Sequence, residues 1–263
     1  MPTSAHIQDV SQMDRGLAYA EACFETFRVI QGDIFQWQAH WQRLSRGMSA
    51  FALDIQVYQA EVYAHCLSTA QAQGEDVLLR LTVSGGQAEW GLNQTSEPLF
   101  YVQCLPFQAA LPLDLHRVDY PFALQHKIAK FTADYAERLR VIQLLRQKEP
   151  SLQSTQYLFC QDGHVLSALT SNILLFQQNQ WKMPHGVGIL QGIVGEFLVQ
   201  QGVVLSQSCP VEMLEDCQAM LSLNCGQFMV AVSSIDGRDL DTGHRAIDDI
   251  RDILGQEKGV NLV

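Results

Sequence analysis

The sequence contains no C-x-x-C pair. Its seven cysteines (23, 66, 104, 160, 209, 217 and 225) are odd in number and sit mostly in apolar runs. That excludes a zinc ribbon or a small disulfide scaffold, calls for no metal, and predicts reduced, mostly buried thiols. There is no basic excess either. A formal net charge of −11 argues against a nucleic-acid binder, which needs a basic face for phosphates. No apolar run is long enough to span a membrane, and the first ten residues, MPTSAHIQDV, have no apolar leader core. The expectation is a cytoplasmic protein without membrane or nucleic-acid partners. Internal repeats and low-complexity segments are missing too. What is present is a 263-residue chain, 47% hydrophobic and 17% charged, enough for one large or two small folded domains. In so acidic a chain, an anionic ligand must be held by a few focused donors in a pocket.

Residues 23–38 read as two strands around a turn at Gln31-Gly32-Asp33. Apolar residues Trp41, Leu44, Met48 and Phe51 predict a helix over 40–53, and 57–73 predicts a second amphipathic helix. Residues 77–86 and 98–105 read as strands. Two prolines interrupt the pattern in 106–115 and mark a boundary. The expected domains are therefore 1–107, an N-terminal α/β unit, and 116–263, joined by a linker at 108–115. In the second domain 134–147 is a helix. Residues 157–160, 165–166 and 173–176 are strands of a meander, with turns at 161–163 and 177–180. A helix follows Gly192, and 219–237 forms a strand, a turn and a strand.

Three elements carry chemistry. Lys127 lies in LQHKIAKFTADYAERL (124–139). Arg43 lies three residues after His40 on a predicted helix, and its guanidinium fork suits a phosphate dianion. Gly192-Ile193-Val194 opens a helix after a turn-like GVGILQ, and the N–H groups at such a start bind phosphate. An aldehyde-capturing lysine, a phosphate-grade arginine and a glycine-led helix start are the parts of a pyridoxal-phosphate site. Alone, each is ordinary: a solvated lysine, a surface arginine, a plain helix start.

In order along the chain, these pieces resemble the class IV (fold type IV) pyridoxal-phosphate-dependent family of branched-chain and D-amino-acid aminotransferases and aminodeoxychorismate lyase. DRGLAYAEACFETFRVIQG (14–32) is most similar to the lyase branch. HWQRL is similar to the family's H-x-x-R-L, which implies Arg43 as phosphate ligand. HKIAK resembles the Schiff-base segment, which implies Lys127. GILQGI resembles G-I-L-x-G-I, which implies the backbone of Ile193 and Val194 as phosphate donors. LSLNCGQFMVAV resembles the strand and turn closing the phosphate side, with Asn224 and Cys225 at its tip. The resemblance also implies an α/β (α+β) fold of two domains, an N-terminal α/β sandwich and a C-terminal pseudo-barrel, with the cofactor at their interface. It further implies a homodimer.

The match departs at several places. The family carries a glutamate five residues before the asparagine of S-N-I, where it pairs with the pyridine nitrogen. Counting back from Asn172 gives Ser167. A serine can hydrogen-bond that nitrogen but cannot hold it protonated. Lys130 replaces a usual asparagine, Val194 a threonine, Gly195 a frequent arginine, and Trp90 stands where a basic residue often precedes a glycine. The weaker electron sink disfavours transamination more than cleavage of 4-amino-4-deoxychorismate to 4-aminobenzoate and pyruvate, because that cleavage creates an aromatic ring. The expected activity is that lyase, with Arg28 and Arg80 as candidates for the substrate carboxylates. The alternatives are an aminotransferase for branched-chain or D-amino acids and a catalytically weak cofactor-binding protein.

Overall fold

Two short elements, strand β1 (Met13–Asp14) and helix α1 (Arg15–Tyr19), lead into β2 (Ala22–Ile30). The computed structural model describes residues 12–53, 59–148 and 156–258. The first ten residues and the start of the helix read over 57–73 lie outside them. Alternation sets the two faces of β2. Cys23, Glu25, Phe27 and Val29 are buried on one face; Phe24, Thr26 and Arg28 take the other. A tight turn leads to β3 (Asp33–Ile34). Helices α2 (Trp37–Ala50) and α3 (Gln59–Gln71) follow, then β4 (Asp76–Ser84), the short β5 (Gln87–Ala88) and β6 (Leu99–Pro106). The antiparallel sheet runs β3-β2-β4-β6, and β1 pairs with β5. Register places Cys23, Glu25 and Phe27 opposite Val83, Leu81 and Leu79. This row packs against the face of α2 that buries His40, Arg43, Leu44, Gly47 and Met48. Gly47 permits the approach: a Cβ there would lie 2.9 Å from the Cβ of Cys23.

The second unit begins at β7 (Leu113–Asp119), so the stretch read as linker ends inside a strand. Helix α4 (Asp134–Lys148) matches the expected one within a residue. Then come β8 (Gln156–Gln161), β9 (His164–Ala168), β10 (Asn172–Gln177), β11 (Gln180–Pro184), α5 (Ile193–Gln200) and β12 (Val204–Gln207). A 3-10 turn (Val211–Leu214), β13 (Ala219–Asn224), β14 (Phe228–Ile235), β15 (Arg238–Asp239) and α6 (Arg245–Lys258) complete the chain. The expected meander is present in part, as antiparallel β8-β9 and β10-β11 hairpins. Three parallel pairings interrupt it: β7 with β8, β7 with β14, and β11 with β12. The sheet order is β12-β11-β10-β13-β14-β7-β8-β9, with β15 on β14. The sheet curls into a half-barrel, and the Ala168 N–H bonds the Ser171 carbonyl at the β9–β10 turn, 3.0 Å.

β10 shows why the two units hold together. Its run NILLF is buried on both faces. Ile173 and Leu175 enter the interior of the large sheet. Leu174 and Phe176 join a core that continues through Val194 and Phe197 of α5 to Phe27, Phe35 and Leu79 of the N-terminal unit. Phe35 makes edge contacts with Phe197 and Phe228, both at 5.3 Å between centroids. Each such fully buried side chain contributes about 2 kcal/mol. The apolar core thus fixes the two sheets against each other, with a cleft left between them. The seven cysteines are free thiols, and all but Cys104 are buried.

Candidate cofactor cleft

Glu25 lies on the apolar face of β2, where an unpaired carboxylate would be prohibitively costly. α2 supplies its partners. Arg43 Nε and Nη2 each donate to the carboxylate at 2.7 Å, and His40 Nδ1 lies 2.7 Å from the same group. All three are buried. Although burial alone would raise it, Arg43 and His40 hold the Glu25 carboxyl well below the usual range. The other His40 nitrogen lies near Cys225 without a hydrogen bond of normal geometry. Burial raises the Cys225 thiol, but His40, Arg43 and Lys130 outweigh it and bring it below its ordinary value.

Arg43 Nη1 reaches across to the Gln191 carbonyl, 2.9 Å, tying α2 to the loop before α5. Three of its N–H donors are engaged in this way, and the residue lines the cleft. The same loop is fixed from β10: Asn172 Nδ2 donates to the Leu190 carbonyl at 3.0 Å. A Cβ at residue 192 would lie 1.8 Å from Asn172 Oδ1, so only glycine fits. Gly192 caps α5 with extended backbone and no side-chain bond. The N–H groups of Ile193, Val194 and Gly195 therefore open the helix without intrahelical partners, and they border the cleft beside Arg43. Asn224 and Cys225 close this end. The side-chain oxygen of Asn224 is already used, accepting from Gly226 and Gln227 N–H at 2.9 Å each. The turn is pinned to β2 by Arg28 N–H donating to the Cys225 carbonyl, 3.0 Å.

Two lysines border the cleft, and their surroundings differ. Lys127 Nζ is paired with Asp134 at 2.7 Å. Lys130 has no ion pair among the described residues. Its backbone is held on β2, where Phe24 N–H donates to the Lys130 carbonyl at 3.0 Å and Thr132 N–H to the Ala22 carbonyl at 3.1 Å. Lys130 Nζ lies 5.8 Å from the centroid of Phe24. Its side chain borders the open cleft, so it counts as half-buried, yet protein surrounds it densely. Burial pulls the amine below the ordinary lysine range; Arg43 and Arg80 push the same way, against Glu25 and Cys225. Tyr135, five residues on and on the cleft wall, packs on Phe24 at 5.4 Å.

At the far end, Ser167 of β9 is buried and borders the cleft. Arg138 of α4 donates to its hydroxyl at 3.3 Å. The two proposed substrate arginines also differ. Arg28 is engaged through Nε and Nη2 by Asp76 and lies 3.2 Å from the Phe107 centroid. Arg80 stacks on Phe24 at 3.6 Å, reaches only Thr82 with its side chain at 3.4 Å, and has no ion pair among the described residues. The structure therefore gathers Arg43, Lys127, Ser167, Ile193, Val194, Asn224 and Cys225 around one cleft, with Arg28 and Arg80 both outside its lining. Sequence reading passed over Glu25, Tyr135 and Arg138. Glu25 had a signal: an acid inside the apolar run CFETF, facing an H-x-x-R helix. Arg138 had none.

Residues 22–235 match the family described as amino-transferase class IV. No curated protein matches the sequence significantly. Among solved structures, a putative 4-amino-4-deoxychorismate lyase from Legionella pneumophila superposes with a TM-score of 0.80 at 21% identity, covering 97% of each chain. A 4-amino-4-deoxychorismate lyase from Pseudomonas aeruginosa gives 0.73 at 20%, covering 96% of each. The Escherichia coli branched-chain amino acid aminotransferase gives 0.81 at 16%, covering 98% of this chain and 90% of the other. At these identities the likeness establishes a shared fold and leaves the reaction open. By its family match and its mixed α/β architecture, the chain belongs to the class IV aminotransferases, the fold type IV family whose cofactor is pyridoxal 5'-phosphate.

Proposed function

We propose that this protein is a 4-amino-4-deoxychorismate lyase, releasing 4-aminobenzoate and pyruvate, and that Lys130 rather than Lys127 supplies its covalent amine. The residues fit the cofactor. The α5 N–H groups and Arg43 suit a phosphate, and Lys130 and Ser167 line the same cleft. A lysine that condenses with an aldehyde must be neutral, and Lys130 has the lowered basicity for it. Lys127 Nζ is engaged by Asp134 at 2.7 Å, whereas Lys130 has no ion pair among the described residues. This revises the reading of HKIAK by three residues.

Bound pyridoxal phosphate supplies an electron sink for the substrate carbon that carries the amine. With the cofactor bound, Lys130 would be the group to remove the proton from that carbon and to return one to the departing three-carbon fragment. The substrate divides into its two products with no water, oxidant or acceptor consumed. Arg80, lacking an acidic partner, is the better candidate for a substrate carboxylate; Arg28 is already occupied by Asp76. Tyr135 and Phe24 wall the space between Arg80 and Lys130.

The observation that carries the lyase reading over the aminotransferase one is the far end of the cleft, where Ser167 and Arg138 stand in place of a carboxylate. A reaction that gains an aromatic product tolerates the weaker sink that such an end provides. The test is direct. Purified protein given 4-amino-4-deoxychorismate without a keto acid should release pyruvate; activity only with an amino donor and a keto-acid acceptor would support the aminotransferase. Borohydride reduction and peptide mass analysis should place the cofactor on Lys130. An adduct on Lys127, or one surviving in Lys130→Ala, would reverse that assignment.

No described helix is long and apolar enough to cross a membrane. Exposed Leu17, Trp90 and Leu92 lie on segments joined by Arg15, and this apolar face supports a homodimer, testable by size-exclusion chromatography with light scattering. The cytoplasmic assignment belongs to the same reading.

A further inference from the structure

We propose that Arg138, through Ser167, takes the place of a carboxylate at the far end of the cleft and keeps the pyridine nitrogen of the bound cofactor an unprotonated hydrogen-bond acceptor. This rests on the reading of the cleft as a pyridoxal-phosphate site and goes beyond it.

Ser167 and Arg138 line the cleft and also, with Lys127, Tyr120, Phe159 and Leu166, an adjoining cavity that none of Arg43, Ile193 or Val194 lines. Arg138 is fixed there. Its Nη1 donates to the Ala168 carbonyl at 3.0 Å and to the Leu169 carbonyl, its Nη2 donates to Ser167 Oγ at 3.3 Å, and its guanidinium stacks 5.5 Å from the Phe159 centroid. Every partner is a neutral acceptor, and Arg138 has no ion pair among the described residues. Its charge is therefore present in full, and arginine does not give it up at any ordinary pH.

The consequence lies in the direction of the hydrogen bonds. Ser167 Oγ receives a bond from Arg138, so its own hydrogen is free to donate into the cleft. That hydrogen needs an acceptor, and a neutral pyridine nitrogen has one lone pair in its ring plane. A protonated pyridine would instead bring a second cation beside the guanidinium, in a partly dry site. Of the charged groups near this end, Glu137 lies off the cleft lining and accepts from the Tyr120 hydroxyl at 2.6 Å. Asp134, one turn before Arg138 on α4, is the only acid on the cleft wall among the described residues, and it is taken up by Lys127 at 2.7 Å. Lys130 adds no negative charge, and Tyr135 is kept neutral because burial raises its hydroxyl.

An unprotonated ring withdraws electrons less strongly. The site therefore suits a substrate whose product gains its own resonance stabilisation, and it handicaps freely reversible amino-group exchange.

The experiment uses holoenzyme loaded with pyridoxal phosphate labelled with 15N in the ring, with the nitrogen shift followed from pH 6 to 9. The wild type should show the shift of a neutral pyridine throughout. Arg138→Gln should let the nitrogen titrate within that window, and the pair Ser167→Glu with Arg138→Gln should move it to the protonated value. A protonated shift in the wild type would overturn the proposal and point to Asp134 instead. So would a nitrogen indifferent to Arg138→Gln, which would leave the arginine a structural role alone. The wild-type spectrum decides even if a variant fails to fold. Failure of the wild type to bind the cofactor would overturn this proposal and the cofactor site together, whereas a bound cofactor with a protonated ring overturns only this one.

Discussion

Two arginines border the cleft, one at each end, and they are held in different ways. Arg43 is clamped by the buried Glu25 carboxylate and points what is left of its donor set at the start of α5. Arg138 touches only carbonyls, a hydroxyl and an aromatic ring. The difference is one of net field. A buried cation with a buried anion makes a nearly neutral frame, which fixes geometry and leaves backbone N–H groups to hold a dianion. A cation among neutral acceptors keeps its field and acts on the protonation of whatever lies next to it. In the proposed reading, one end retains the ligand and the other sets its electronic character.

The comparison breaks most severely at Glu25. Glu25→Gln removes the charge that Arg43 and His40 share, so we expect a loss of about 3 kcal/mol in chemical denaturation together with weakened cofactor binding. The wild-type pH profile should report the same residue. A carboxyl held below its ordinary value of 4.5 contributes stability that is fully present above that pH and is lost only as pH falls through the lower folded-state value. Stability should therefore hold down to about pH 4.5 and fall below it, and Glu25→Gln should flatten that fall.

Gly192→Ala attacks the phosphate end through its backbone. The new methyl collides with Asn172 Oδ1, so a cost of about 1–3 kcal/mol is expected from overpacking. Cofactor affinity, read by equilibrium dialysis, should fall with it. Arg80 and Arg28 sharpen the contrast between a free and an engaged cation. Arg80→Ala should raise KM by roughly 10- to 100-fold, the worth of a charged hydrogen bond, with little change in melting temperature. Arg28→Ala should cost at most about 1 kcal/mol of stability and move KM little, because Asp76 is partly exposed. The smallest effect belongs to Lys127→Ala: less than about 1 kcal/mol in stability, with the borohydride-trapped adduct retained. Loss of that adduct would restore Lys127 as the covalent residue.

Much of this architecture was legible before any coordinates. Period-two alternation in CFETFRVI and the Gln31-Gly32-Asp33 turn marked β2 and its hairpin. Helical spacing marked α2 with its start at 40 instead of Trp37, and α4 with its start at Asp134. Of the elements that were missed, three have definite reasons. β7 alternates weakly after two prolines and acquires its order from parallel partners distant in sequence, β8 and β14. β12 is only a four-residue strand at the sheet edge. α6, at the end of the chain, was not read at all, although Ala246, Ile247, Ile250 and Leu254 recur at helical spacing and are buried.

The site divides along the same line. H-x-x-R-L and G-I-L-x-G-I were readable because each is a local device: a helix face with two polar residues three apart, and a glycine that the following helix start requires. Residues 121–133 have no regular period, so nothing local shows that positions 127 and 130 both border the cleft. The hydrogen bonds of Phe24 and Thr132 lay the chain at 130–132 along β2. The absence of an acid at Ser167 was likewise visible in the sequence, but its replacement was not. Arg138 comes from a helix 29 residues away, and only the packing of α4 over β9 brings its charge to that hydroxyl. Short-range patterns determined the elements and the phosphate seat because their geometry repeats within a turn or a pleat. Which side chains share the cleft wall, Lys130 and Ser167 with Arg138 among them, depends on which distant strands meet, and that was set by burial of the shared core.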